Sequence, residues 1–582
     1  MTVADFLISI LHGMGVAEGF SLVGGMSMHL NRAAGERLRI IYCNHEQAVV
    51  ASADGYAKAS DFKTPGLAVV TSGPGVTNTV TSLTSAFFDS VPLILLTGQV
   101  KSADINSFGV RSFGAQEVNH NALLSPITKL SFTYDPRTIT NKTLAVNLAL
   151  SMTGRKGPVH IDIPLDVQGM DCKTKDDVTE ILSIYNSQLE KNFSQSNELP
   201  FELISQIHSA KRPLLVLGNA SRIASVPSDS ISQLIDHLGF PVLLTWASMD
   251  LLDYNNQKVF GCAGGLAGIH SNRIIQTADL IIFLGVRLDL LTTGFNPQAY
   301  GKNARRFVFD CDEAELGKFS GATGFTCVLS DIRAAVRALL EIPFYESNAL
   351  SSWMAQCKTW QNENQKCEEH EFSSRQLNTY HVASLVAQSA VTRYVVPTAS
   401  GYAIEGFARF YKTTNGSRFS WAGHVLGSMG LAIPSAIGAS VRLKKTVACV
   451  DGDGGFLLNM QELYTLRANP DIYIVFFILN NRGYASISQS QTRNFQKNFG
   501  ASTKSGLAEI DFESLAKIAD LKYMECKTYD SLKDAISCLN SESRVLINIF
   551  LDGDDYRGPS ITTKFDSQGR PFSTELEDIS WR

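Results

Sequence analysis

Hydrophobic positions along the chain fall into short unbroken runs separated by helical patterns and glycine-rich turns. The clearest case is 445–484. Residues 446–450 are an apolar, β-branched run, which predicts a buried strand. Asp451-Gly452-Asp453-Gly454-Gly455 follows as a turn where backbone can approach a ligand. Phe456, Leu457, Met460, Leu463 and Leu466 recur at helical spacing until Asn469-Pro470 stops the helix. Residues 472–479 are a second buried run, so the stretch predicts one right-handed βαβ unit with parallel strands. Asp453 and Asn481 then lie just past the carboxyl ends of its strands, where open α/β sheets bind ligands.

The same pattern recurs on both sides. Near the N-terminus a helix over 3–14 precedes strands at 39–43, 67–71, 92–97 and 157–164, with a helix beginning near Glu46. The strand at 67–71 runs into a second glycine-rich turn, Ser72-Gly73-Pro74-Gly75-Val76-Thr77-Asn78. In the middle, strands are predicted at 213–217, 241–245, 280–285 and 306–309. The polar stretches 170–199 and 343–375 read as linkers, the first with a short helix, and 553–582 reads as a polar tail. The expected architecture is α/β: three doubly wound parallel-sheet domains at 1–169, 200–342 and 376–552. The shared turn grammar of the first and third points to internal duplication, although no sequence repeat is visible.

Composition narrows the function classes. The chain has 582 residues, 44% hydrophobic and 18% charged, with net charge −5 and no basic run, so nucleic acid and anionic membrane surfaces are not expected partners. No apolar run is long enough to span a membrane, and the first residues lack the basic start of a signal peptide. Ten cysteines without a Cys-x-x-Cys pair suit reduced thiols in a cytoplasmic protein.

The chemistry of the 451–481 stretch is more specific. Free amide N–H groups at the start of a helix suit a diphosphate. The Asp453 carboxylate and the Asn481 amide oxygen are hard ligands that suit Mg²⁺ or Ca²⁺ beside phosphate oxygens. A glycine-rich turn alone is ordinary strand-to-helix plumbing. Gly452-Asp453-Gly454 followed, after the 25 residues 455–479, by Asn480-Asn481 is not ordinary. It resembles the diphosphate-binding signature of thiamine-diphosphate-dependent enzymes.

With these residues in hand, nearly the whole chain resembles the acetolactate synthase group of those enzymes. The matching segments are His45-Glu46-Gln47, Thr71-Ser72-Gly73-Pro74-Gly75, Asn78, Thr97-Gly98-Gln99, 157–164 and Leu426-Gly427-Ser428-Met429-Gly430, besides the two just given. The resemblance implies a pyrimidine-binding first domain, a diphosphate-binding third domain, and sites between the subunits of a homodimer or homotetramer. It implies that Gly24, Gly73, Asn78, Gly401, Gly427, Met429, Gly452, Asp453, Gly454, Gly455, Asn481 and Tyr484 hold thiamine diphosphate. Asp453, Asn481 and Gly483 would hold Mg²⁺. Glu46 matches the glutamate that hydrogen-bonds the aminopyrimidine and so lets the cofactor act as its own base. Gln116 matches a glutamine near the reacting carbon, and Met429 the apolar prop under the bent cofactor.

For the middle domain the resemblance implies FAD without a redox role. The matching positions are Arg155, Gly218, Asn219, Thr245, Gly264, Gly265, Gly285, Arg287, Asp289, Asp310 and Asp331. Leu291 and Ile404 depart from the family pattern, where an arginine and a glutamine are usual. The adjacent histidine pair of decarboxylases that release aldehyde is absent; His120 stands alone, read as structural. The expected activity is therefore decarboxylation of pyruvate and transfer of the two-carbon unit to a carbonyl acceptor.

The acceptor is read from two differences. Residues 483–491 contain no tryptophan, where acetolactate synthases place one, and Ala115 precedes Gln116 where phenylalanine is usual. A larger, more polar pocket would take a hydroxylated ketone, and the tail could fold over it. The stretch from Tyr484 through Phe495 and the tail also resembles thiamine enzymes of branched-sugar clusters, among them the flavin-containing carboligase of yersiniose biosynthesis, which uses a nucleotide-linked keto-deoxysugar. The alternatives are an acetolactate synthase catalytic subunit with a 2-keto acid acceptor and a catalytically silent regulatory relative.

Overall fold

The computed structural model describes all residues except 172, 192–198, 344–347, 374–375, 415, 552–557, 562 and 580–582. Three six-stranded sheets, parallel throughout, form the frame. Across the first sheet the order is Arg39–Tyr42, Glu18–Ser21, Gly66–Val70, Leu93–Gln99, Pro158–Pro164, Leu130–Thr133. Across the third it is Arg418–Phe419, Tyr394–Pro397, Val447–Gly452, Ile474–Asn480, Val545–Phe550, Lys522–Cys526. Counted from each domain's own first strand, both orders are 2-1-3-4-6-5, so the duplication sensed in the turns is a duplication of topology. The central strands are buried on both faces, which is why they read as unbroken apolar runs.

The middle sheet is wound differently. Its order, Val259–Cys262, Val242–Leu244, Pro213–Leu217, Leu280–Leu284, Arg305–Asp310, Phe325–Leu329, is 3-2-1-4-5-6. That is the order of dinucleotide-binding sheets, with the chain reversing direction of travel between Pro213–Leu217 and Leu280–Leu284.

The first and third domains meet along two helices, Glu46–Ala59 and Ala432–Leu443. Glycines allow the close crossing: a Cβ on Gly55 would lie 2.1 Å from Ser435 O, and one on Gly438 1.9 Å from Ser52 O. This contact sets where the N-terminal end of the Glu46 helix lies against the third domain.

Three local expectations change. The helix expected across 456–468 is two short ones, Asp453–Leu457 and Glu462–Ala468. Buried Asn459 sits in the break; its amide donates to Gly430 O (2.8 Å) and to Gln47 Oε1 (3.1 Å), which turns the second helix toward the first domain. The polar stretch 343–375 contains the 25-residue helix Asn348–Phe372. Its buried face runs Leu350, Trp353, Cys357, Gln361, Asn364, Glu368 and Phe372, so three of the seven buried positions are polar in addition to Cys357's thiol, and the stripe escapes a hydrophobic pattern. The described tail, expected over the acceptor pocket, packs on both the middle and third domains; Pro559 O accepts from Arg409 of the Gly401–Phe410 helix. Ile561 lies against Gly265 and Gly294, and Lys302 pairs with Glu575 and Glu577.

Candidate active site

The third-domain turn is built around buried Asp453. Its Oδ1 accepts from Gly454 N (2.7 Å) and its Oδ2 from Gly483 N (2.9 Å), which ties the two strand ends together. Burial pushes the Asp453 carboxyl up to about 6, only partly offset by these N–H bonds. Asp451, fully buried, is pushed up to about 8 by burial, and its Oδ2 has no hydrogen-bond partner. The Asn481 Oδ1 is likewise buried and has no hydrogen-bond partner among the described residues. A carboxylate that ionises reluctantly beside an orphaned amide oxygen is a donor set that a divalent cation satisfies. The linking residue Arg482 has φ +63°, a strained conformation that presents Asn481 and Gly483 side by side.

Around this turn the backbone is open. Among the described residues, chain neighbours aside, no atom lies within 4 Å of where a Cβ would stand on Gly401 or Gly452, and on Gly427 the nearest is 3.7 Å away. Gly401 opens a ten-residue helix whose capping residue, Ser400, makes no side-chain cap bond. Met429 is 38% exposed beside Gly427 and Gly430. Gly454 and Gly455 are packed instead: the Tyr484 ring and the Asp451 carboxylate occupy the space over them.

In the first domain Glu46 is the first residue of its helix, half-buried, and its Oε2 accepts from Asn78 Nδ2 (3.0 Å). The turn before it is held by the third domain: Asn44 N donates to Glu462 Oε1 (3.0 Å). The Gly73 turn, φ +63°, lies beneath exposed Gln116, itself at φ +61°; a Cβ on Gly73 would come within 2.6 Å of Gln116 O. Gly24 packs on Thr71, so Gly24, Gly73, Asn78, Glu46 and Gln116 come together at one end of the first sheet.

Residues 1–123 match the family described as "Thiamine pyrophosphate enzyme, N-terminal TPP binding domain", residues 202–339 its central domain and residues 400–549 its C-terminal TPP binding domain. The chain is a thiamine-diphosphate-dependent enzyme. It is related, distantly, to acetolactate synthases. It is 28% identical to the acetolactate synthase large subunit of Lactococcus lactis over 99% of this chain and 97% of that protein. It is also 28% identical to acetolactate synthase 1, chloroplastic, of Nicotiana tabacum over 85% of this chain and 72% of that protein. For the corresponding rice enzyme, Oryza sativa subsp. japonica, the identity is 28% over 96% and 86%.

This thiamine-diphosphate enzyme has a second concave site where its three domains meet, a cavity of about 350 Å³. Of the eleven positions matched to a flavin site, all line it except Gly218, Gly264 and Gly265. Gly218 interlocks with Gly285 at the sheet's crossover, Gly264 packs on Thr292 O, and Gly265 lies under Ile561. Arg155 is held by Asp312 and Glu315, both at 2.8 Å, and Arg287 Nη1 donates to Phe88 O (2.9 Å). Lys58, at the far end of the Glu46 helix, forms part of the wall between Asp54 (3.0 Å) and Asp89 (2.8 Å). His424 lines the cavity with its Nε2 unpartnered, and burial pushes its imidazole down.

Sequence reasoning missed Glu462 and Asn459, which brace the Glu46 turn, and the polar network behind Gly73. No local pattern marks them, since their partners are distant in the chain: 418 residues from Glu462 to Asn44, 412 from Asn459 to Gln47 and 47 from His120 to Gly73.

Proposed function

We propose that the enzyme decarboxylates pyruvate and passes the two-carbon unit to a ketone acceptor larger than pyruvate. Thiamine diphosphate, when bound, supplies the carbon nucleophile that carries this unit between the two carbonyl compounds. The observation that carries the reading is the third-domain turn, where Asp453 and the unpartnered Asn481 oxygen face an open glycine cradle. Asp453, Asn481 and the Gly483 backbone would hold Mg²⁺, and the open backbone at Gly401, Gly427 and Gly452 would admit the diphosphate. Asn78 occupies Oε2 of Glu46, which leaves Oε1 to hold a proton against the aminopyrimidine. Gln116 sits over the Gly73 turn as the polar group nearest the reacting carbon, and Met429 supplies the apolar prop.

A homodimer or homotetramer completes the site. Leu426, Met429, Leu458 and Met460 are exposed apolar side chains next to the cofactor motifs, an arrangement that suits cover by a second copy. Nine described cysteines without a disulfide support a reducing, cytoplasmic setting.

FAD is the proposed occupant of the three-domain cavity. In support, the cavity opens at the crossover of a 3-2-1-4-5-6 sheet, with Asn219 and Gly285 at the two strand ends that flank it. Arg155 and Arg287 suit a pyrophosphate, and Asp310 and Asp331 suit ribose hydroxyls. The reaction involves no net oxidation, so the flavin is structural. The purified protein should be yellow and release FAD on denaturation; a colourless protein that takes up no added FAD contradicts this assignment.

The acceptor reading rests on the 485–495 helix, which has no buried residue and no tryptophan. It is narrower than the sequence suggested. Ser488 Oγ accepts from Asn498 and the Gln491 amide is bonded to the Phe499 backbone at both ends, so these two hold the following loop. Ser486 Oγ stays buried and unpartnered, a polar group for a hydroxylated ligand. A nucleotide-linked keto-deoxysugar of the kind used in branched-sugar biosynthesis fits this description. The test is product analysis with pyruvate and a panel of acceptors: cyclic ketones, a nucleotide-linked 4-keto sugar, and 2-ketobutyrate. Ketone addition products support the proposal. Exclusive use of 2-keto acids returns the enzyme to acetolactate synthase, which its relatives' names favour.

A further inference from the structure

Behind the Gly73 turn lies a buried polar network that the reading above does not use. His120, 1% exposed, places Nδ1 2.9 Å from Asp162 Oδ1 and receives at Nε2 the Gly73 N–H (3.3 Å). Asp162 also accepts from Thr97 Oγ1 (2.7 Å) and Gln99 Nε2 (3.2 Å). His160 completes the cluster, with Nε2 2.8 Å from Thr97 Oγ1 and Nδ1 2.7 Å from Ser131 Oγ. The ligating atoms of His120, His160 and Asp162 lie within 4.8 Å of one another, as in a metal site. Each is already hydrogen-bonded, so the cluster is complete without an ion.

A backbone N–H only donates, so His120 Nε2 is the acceptor. Nδ1 faces the Asp162 carboxylate (2.9 Å) and the Gln99 amide nitrogen (3.1 Å); the two amide hydrogens have acceptors in Val118 O and Asp162 Oδ2, so the ring proton sits on Nδ1, aimed at Asp162. Gly73 begins the turn that ends in Asn78, and Asn78 holds Glu46 Oε2. We propose that His120 and Asp162 form a positioning dyad that fixes the Gly73 turn and, through Asn78, the proton-holding carboxyl of Glu46. The proposal rests on the role given to Glu46 above. Asp162 sets the tautomer, His120 offers the lone pair, and the turn carries the constraint to the catalytic carboxyl. His120 touches neither substrate nor cofactor in this account; it acts through Gly73.

Two measurements test it. In the apoprotein, ¹⁵N NMR of the imidazoles should show His120 as the Nδ1–H tautomer, assigned by loss of its signals in His120→Gln. An Nε2–H tautomer would overturn the dyad, because Gly73 could not donate to it. With thiamine diphosphate and Mg²⁺ added, His120→Leu leaves the Gly73 N–H buried without an acceptor. C2 proton exchange of the bound cofactor and kcat should both fall by roughly 10- to 100-fold, with the pyruvate KM within about twofold. His120→Gln, whose amide oxygen reaches the same place, should restore both to within about threefold. Folded His120→Leu exchanging at the wild-type rate, or His120→Gln as slow as His120→Leu, refutes the proposal. If His120→Leu does not fold, His120→Asn, too short to reach Gly73, takes its place with the same expectation. A wild-type protein that exchanges no C2 proton would sink the Glu46 role instead, and the apoprotein tautomer would still decide the dyad.

Discussion

The first and third domains thread six strands in the same order and end corresponding strands in glycine-rich turns, yet those turns are built for different work. In the third domain the turn is drawn around a carboxylate. Asp453 is buried, closed by two backbone N–H groups, and pushed up by burial to about 6. In the first domain the turn contains no charge. Gly73 is held from behind by the His120 imidazole, and the carboxyl in play, Glu46, sits half-buried on the neighbouring helix with one oxygen held by Asn78. Topology explains why both sites lie at the carboxyl ends of parallel strands. It does not explain the division of labour in the proposed function, which comes from a few side chains: one domain would bind charge and the other would place a proton.

Substitutions should separate the two halves. The largest effect is expected in the third domain. Asp453→Ala should abolish Mg²⁺-dependent binding of thiamine diphosphate and cut activity by more than the roughly 10- to 100-fold that loss of an outer partner costs. Calorimetry showing unchanged Mg²⁺ dependence of cofactor binding would remove Asp453 from the metal site. In the first domain, Glu46→Gln should leave cofactor binding close to wild type while C2 exchange and turnover fall about 10²- to 10⁴-fold. Exchange within a few-fold of wild type would break the comparison from the other side.

A smaller effect concerns pH. Burial holds the His160 imidazole down to about 4 in the folded first domain, against about 6.5 when unfolded. Between these values the unfolded chain binds the extra proton, so stability falls as pH drops from about 6.5 to about 4 and levels off below. The total is at most about 3 kcal/mol. His160→Gln should flatten the acid side of a plot of melting temperature against pH; an unchanged acid limb would assign that loss to other groups.

How much of this was legible in the sequence follows from how far each signal reaches along the chain. Buried strands and glycine turns are local patterns, and residues 447–452 and 474–480 form the expected pair with Asp453 and Asn481 at their ends. What was not legible depended on distant partners. Glu462 turns toward Asn44, which splits a helix that periodicity alone would continue. Gln361 and Glu368 are buried because Val259 O and Lys412 meet them, so their helix read as a polar linker. His120 read as structural because nothing within a few residues of it shows Gly73 or Asp162. The tail carries too little pattern to reveal that Ile561 caps Gly265 in the middle domain.

In the proposed assembly each site would join the proton-placing half of one subunit to the charge-binding half of another. Co-expression of differently tagged Glu46→Gln and Asp453→Ala chains tests it most directly. Either homodimer alone should be nearly inactive. The mixed dimer should have one site with both defects and one with neither, so a random mixture should recover roughly a quarter of wild-type activity, carried by the doubly tagged fraction. A doubly tagged dimer as inactive as its parents, with both chains folded, would contradict the claim.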